Sequence, residues 1–139
     1  MKVKSLKGSY LIRLEIGEEV ISSLGAFVRK KRIKSGGLQG IGAVSEVTLG
    51  VYDIKRQRYD RRVFHADHEL VNMTGDISWL GNDPVLHVHA VIADQKLKTF
   101  GGHLFGAKCC VTVEVMLIPS SVRVNRLPDE RTGLNLLAL

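Results

Sequence analysis

The sequence holds only two cysteines, and they are neighbours, Cys109 and Cys110. Two cannot build a disulfide framework, and a bridge between adjacent residues is strained. A reducing, cytoplasmic location is therefore expected. No apolar run approaches the roughly 18 residues a transmembrane helix needs, so no membrane span is expected. The start, MKVKSLKGSYLIRL, is basic but has no sustained apolar stretch and no small-residue cleavage site, so it reads as mature protein. Helix-turn-helix and zinc-finger spacings are absent, as is Arg-Gly-Arg-Pro, the minor-groove core of an AT-hook. No Gly-x-Ser-x-Gly nucleophile elbow occurs, and Gly40-Ile41-Gly42 does not lead into a helical pattern, which excludes a dinucleotide fingerprint. There is no internal repeat, linker or low-complexity segment.

What is present is an ordinary globular composition. The 139 residues are 45% apolar and 24% charged, enough for one domain with a real core and incompatible with wholesale disorder. The unusual feature is a formal charge of +6. Half of the 20 basic residues fall in two segments, Arg29, Lys30, Lys31, Arg32 and Lys34, and Lys55, Arg56, Arg58, Arg61 and Arg62. Clustered Lys and Arg can release counterions from nucleic acid, which makes Arg29, Lys30, Arg32, Arg56 and Arg58 candidate DNA contacts. An ordinary explanation competes: the first cluster closes a helix, where cations complement the dipole, and the second suits a solvated hairpin tip. Only Tyr59 is interleaved among these cations, so no stacking platform for single strands is indicated.

The hydrophobic period changes along the chain. Tyr10–Leu14 suits a strand. Between Glu18 and Lys34 the stripe Val20, Ile21, Leu24, Phe27, Val28 and Ile33 has helical spacing, with Gly36 and Gly37 expected to stop it. Everything after reads as strand: Leu38–Asp53, Arg58–Phe64, Glu69–Trp79, Val85–Asp94 and Lys108–Ile118. Gly40, Gly42 and Gly50 mark bulges or close backbone approaches, Gly101-Gly102 a bend. In the last strand Cys109, Val111, Val113, Val115 and Leu117 form an apolar face, which sends the two cysteines to opposite sides. The tail beyond Arg126 carries Leu134, Leu136, Leu137 and Leu139 and is expected to pack on its own sheet or on a neighbouring subunit. The expected fold class is α+β, a largely antiparallel sheet backed by one main helix.

Three of the five histidines form a pattern, His87-Val88-His89 followed by Gly101-Gly102-His103. On a strand, His87 and His89 share a face with Cα atoms roughly 6.5–7 Å apart, close enough for two imidazoles to converge on one cation. His103, from a neighbouring strand or its entry turn, completes a three-histidine site with an open fourth position. Because the strand is apolar on both sides, the rings are expected to need partners. A divalent metal, zinc ahead of nickel, iron or copper, is one answer; a backbone carbonyl or neighbouring side chain on each ring is the other. Glu69 and Glu114 are the carboxylates considered as outer partners or as a general base, though each also suits an ordinary ion pair. His65 and His68, flanking Asp67, read as exposed loop residues.

Taken in order, Gly40-Ile41-Gly42-Ala43-Val44, Glu69-Leu70-Val71 with Gly75-Asp76-Ile77, Pro84-Val85-Leu86-His87-Val88-His89-Ala90, Gly101-Gly102-His103-Leu104 and Thr112-Val113-Glu114-Val115 resemble the plant and prokaryote conserved (PPC) domain family. The likeness spans about residues 8–126, which leaves 127–139 as the leucine-rich tail of a single domain covering 1–139. The resemblance implies a compact α+β fold, a homotrimer and, for the histidine-bearing prokaryotic type, a metal site on His87, His89 and His103. In plants the domain stands beside AT-hooks, which supply the DNA binding. The family brings no established reaction, so three roles stay in view: a metal-binding trimer, a DNA-binding protein, and a metal-dependent enzyme that activates water on the open position.

Overall fold

The helical stripe forms α1 (Val20–Lys31), with Val20, Leu24, Phe27 and Val28 buried. Glu19 caps it: its carboxylate accepts the Ile21 and Ser22 amides and also the Ala107 amide from a distant strand, pinning the helix to the sheet. The stop is not at Gly36 and Gly37. Arg32 takes the left-handed conformation (φ 54°), and the Arg32 and Ile33 amides return to the Arg29 and Val28 carbonyls. This closing pattern buries Ile33 beside the last turn and ends the helix before the glycines are reached.

The computed structural model describes residues 1–139. Its strands are β1 (Lys2–Leu6), β2 (Ser9–Leu14), β3 (Ser35–Asp53), β4 (Arg58–Phe64), β5 (His68–Leu80), β6 (Asp83–Ala93), β7 (Thr99–Ser120), β8 (Asn125–Asp129) and β9 (Leu134–Ala138). Strand accounts for 68% of residues and helix for 9%, so α+β fits only loosely; the protein is mostly antiparallel sheet with one helix. β3 pairs with β7 and β5, and β6 pairs with both β5 and β7, so these four antiparallel strands close on one another. β2 extends the sheet from β7, and β4 from β3. Register shifts at Gly40/Gly42 and Leu70/Asn72 supply the curvature that closure requires. At Gly42 a Cβ would lie 2.1 Å from the Thr112 carbonyl oxygen, so only glycine permits β3 and β7 to pack this closely.

One cluster of 25 buried residues joins α1 to the inner faces of β2, β3, β5, β6 and β7. Several expectations change here. Gly101-Gly102 is not a bend but the interior of β7, which therefore runs much longer than Lys108–Ile118. Val111 is exposed although it alternates with Cys109 and Val113, because three residues of β7 bulge out opposite a single residue of β3. Cys109 is buried and Cys110 half-buried, in keeping with opposite faces. The leucine-rich tail contributes the β8–β9 hairpin, joined to β5 by the single parallel pair Trp79–Asn125; Leu136 and Leu137 remain partly exposed and Leu139 fully so. β1, which precedes the first strand read from the sequence, pairs along its length with β2. No helix is long and apolar enough to cross a membrane.

Candidate metal centre

The sheet register brings the histidines together. On β6, Val88, Ala90 and Ile92 enter the core, which turns His87 and His89 to the outer face. His89 sits directly opposite His103 of β7, and His87 opposite Asp76 of β5. Facing residues share a side of a sheet, so all four project the same way. One nitrogen from each of His87, His89 and His103 lies within 4.8 Å of the others, and the ring centroids stand 5.2, 5.3 and 5.5 Å apart. This face is open to solvent: His89 is exposed, while His87 and His103 are half-buried.

The next shell is Asp76 rather than either glutamate named from sequence. Its Oδ2 lies 3.3 Å from His87 Nδ1, a placement that favours the Nδ1-protonated tautomer and leaves the Nε2 lone pair free to accept a ligand. Asp76 Oδ1 accepts from Arg126 Nη2 at 2.9 Å, and Arg126 also donates to Ser78 Oγ (2.7 Å) and the Asn135 carbonyl (2.9 Å). The tail hairpin thus delivers a nearly buried arginine that holds the carboxylate against His87. Glu69 pairs with Ala43 and Ala93 and lines a cleft with Asp67 and His68; Glu114 lies between Arg13 and Ile41, in another cleft with Glu15 and Thr112. Neither joins the histidines. Thr74, Asp76 and Ser78 alternate with apolar residues along β5, a signal for Asp76 that was present in the sequence; nothing local pointed to Arg126.

On the other flank is an aromatic group. Gly50 of β3 faces His103, and a Cβ there would meet Phe105 at 2.6 Å and Tyr59 at 3.3 Å. Its missing side chain is what lets those two rings pack 4.6 and 5.1 Å from the His103 ring. Burial, reinforced by His87 and His89, pushes the His103 pKa down to about 4, and burial with His87 also lowers that of His89. These rings are neutral near pH 7, the form that ligates a metal. His103 Nδ1 is buried without a hydrogen-bond partner, a situation that costs about 1–3 kcal/mol unless something fills it. An orphaned nitrogen in one of three converging imidazoles fits a divalent metal of zinc type.

The other histidines divide. His65 is exposed and contacts Glu46 at 2.8 Å, whereas His68, read as a loop residue, opens β5 and is buried, with Nδ1 2.8 Å from the Ala66 carbonyl. Among the basic candidates, Arg29 is occupied by Asp83 and the Asn82 carbonyl, and Arg56 by Asp53 and Asp60. Arg58 lies 3.9 Å from Asp60. Lys30 and Arg32 are exposed at the helix end.

Comparison with known proteins places this geometry in context. A candidate DNA-binding protein from Bacteroides thetaiotaomicron superposes with a TM-score of 0.95 at 30% identity, covering 99% of this chain and 96% of that one. A metal-containing protein from Archaeoglobus fulgidus superposes at 0.88 with 29% identity over the full length of both. The bifunctional protein GlmU of a Synechococcus strain is 29% identical over 127 residues, 89% of this chain; the chain spans only 19% of that protein's length. Residues 1–121 match the sequence profile of the Plants and Prokaryotes Conserved (PCC) domain, and the chain belongs to that family.

Proposed function

We propose that this protein binds one divalent metal ion, zinc foremost, through His87, His89 and His103, and that it acts as a homotrimer. The observation that carries the reading is the convergence of three imidazole nitrogens within 4.8 Å, one ring holding an unpaired buried nitrogen. The metal-containing relative supports it. Asp76 orients His87, and the open outer face leaves a fourth position accessible, so the ion could polarise or activate a ligand there. Exposed Leu11, Ile41, Val71, Val91, Val111 and Ile118, on the outer faces of five strands, support self-association. Protein purified without an affinity tag is expected to carry about one zinc per chain and to scatter light as three chains, and His87→Ala to lose most of the metal. Metal far below one equivalent, unchanged by His87→Ala, refutes the reading.

DNA binding is the second reading, favoured by the candidate DNA-binding relative and by the +6 charge. The pairing of Arg29 and Arg56 with carboxylates lowers the positive charge those segments offer. Lys30 and Arg32, without a carboxylate partner, are the contacts left to carry it, with Arg58 only loosely paired, 3.9 Å from Asp60. It predicts duplex binding with a steep salt dependence. Charge reversal at Lys30 and Arg32 is expected to flatten that slope; absent or salt-independent binding near physiological ionic strength rules this role out.

A further inference from the structure

The histidine face carries charge that its own residues do not balance. Asp76 is the one carboxylate against the centre, and Arg126 already neutralises it, with all three of its nitrogens donating inside the protein. Arg61 is different. It lies in register with Gly50, which lies in register with His103, which faces His89, so one row of the sheet reads Arg61, Gly50, His103, His89. Two strand spacings of about 4.8 Å separate Arg61 from His103, within the reach of an arginine side chain and a small ligand together. The guanidinium lies over the Phe105 ring, 3.7 Å from its centroid, and that ring packs 4.6 Å from the His103 ring. Stacking fixes the plane of the fork while leaving its N–H donors free, and no carboxylate pairs with it.

A divalent cation held by the three histidines adds two charges to that of Arg61. Such a pocket selects against cations and gives a neutral ligand nothing for the second contact, whereas an oxyanion satisfies both poles. Resting on the metal reading above, we propose that the centre is a binding site for a small oxyanion group, a phosphate or a carboxylate, with one oxygen on the open metal position and another on Arg61. Tyr59 and Phe105 form the apolar wall beside it, suited to a ligand whose anionic head carries an organic remainder.

The test uses cobalt(II) as a spectroscopic stand-in for zinc in the full-length protein, with methylphosphonate and acetate as separate probes. A saturable change in the cobalt visible spectrum is expected with one probe or both, the tighter one identifying the head group. Arg61→Gln is expected to leave cobalt uptake intact and weaken the anion about tenfold or more, the loss of one charge-assisted contact. A cobalt spectrum that forms normally but ignores both anions overturns the proposal, as does an Arg61→Gln protein that binds them as tightly as the parent. A protein that takes up no cobalt refutes the metal reading itself, and the oxyanion site with it; the two failures are thereby distinguished.

Discussion

Gly75→Ala is expected to destabilise the protein by about 3 kcal/mol or more, a large share of the roughly 5–15 kcal/mol that holds a domain of this kind together. Gly75 pairs with Val88 at the centre of the β5–β6 ladder. A Cβ on it would lie 2.1 Å from the His87 carbonyl oxygen, 2.8 Å from Val88 Cα and 2.9 Å from the His87 carbonyl carbon. All three are backbone atoms, so no side chain can swing aside; the strands themselves must part. Parting them breaks ladder hydrogen bonds beside both His87 and Asp76, so weaker metal binding is expected to accompany the loss of stability. Gly25→Ala is the matched control. Its Cβ would meet only Leu86 Cδ1 at 3.9 Å, and alanine in the helix is expected to add about 0.5–1 kcal/mol. Denaturant unfolding of the two variants measures both. Equal midpoints for Gly75→Ala and the parent would show that β5 and β6 do not approach as closely as described.

Zinc is expected to raise the thermal midpoint by about 10 °C at a free concentration about a thousandfold above its Kd. Binding to the folded state alone contributes about 4 kcal/mol under that condition, and for a chain of this size each kcal/mol moves the midpoint by about 2–4 °C. A chelator reverses the gain, and His103→Ala abolishes it. The pH dependence follows from the depressed pKa of His103, about 4 against an ordinary 6.5. Between those values the unfolded chain binds a proton that the folded chain does not. The contribution is therefore fully present above pH 6.5 and is lost as pH falls toward 4. A ligand that stays neutral through that window keeps its lone pair for the metal. The zinc-induced shift is thus expected to persist at pH 5.5, where a free imidazole is mostly protonated. Calorimetric scans with and without zinc at pH 7.5 and 5.5 read this directly. A shift already gone near pH 6.5, or one retained by His103→Ala, contradicts the assignment.

Much of this was legible in local pattern. The helix followed from one apolar stripe, and Arg58–Phe64 emerged with the bounds its alternation implied. His87 and His89 were readable as partners because a strand repeats every two residues, and that geometry needs no tertiary information. Val111 and the Gly101-Gly102 pair were misread for a common reason: bulges and close strand approaches depend on the partner strand, which local sequence does not name. His68 was misread because its burial depends on Phe64, whose ring centroid packs 5.6 Å away, and on the sheet behind it.

The sequence by itself determined the alternation of elements, the small number of cysteines, the charge and the pattern of the three histidines. Tertiary structure alone decided what surrounds those donors. Glu69 and Glu114 looked eligible because they are carboxylates on strands, but register sends them to other clefts. Asp76 holds its place because β5 and β6 pair with Asp76 opposite His87, and Arg126 reaches it because the tail hairpin docks beside β5. Arg61 falls in the same row of the sheet as His103, across Gly50 of the strand between them. Strand periodicity is a property of a few consecutive residues, whereas each of these contacts spans 11 to 50 positions and exists only once the sheet has closed.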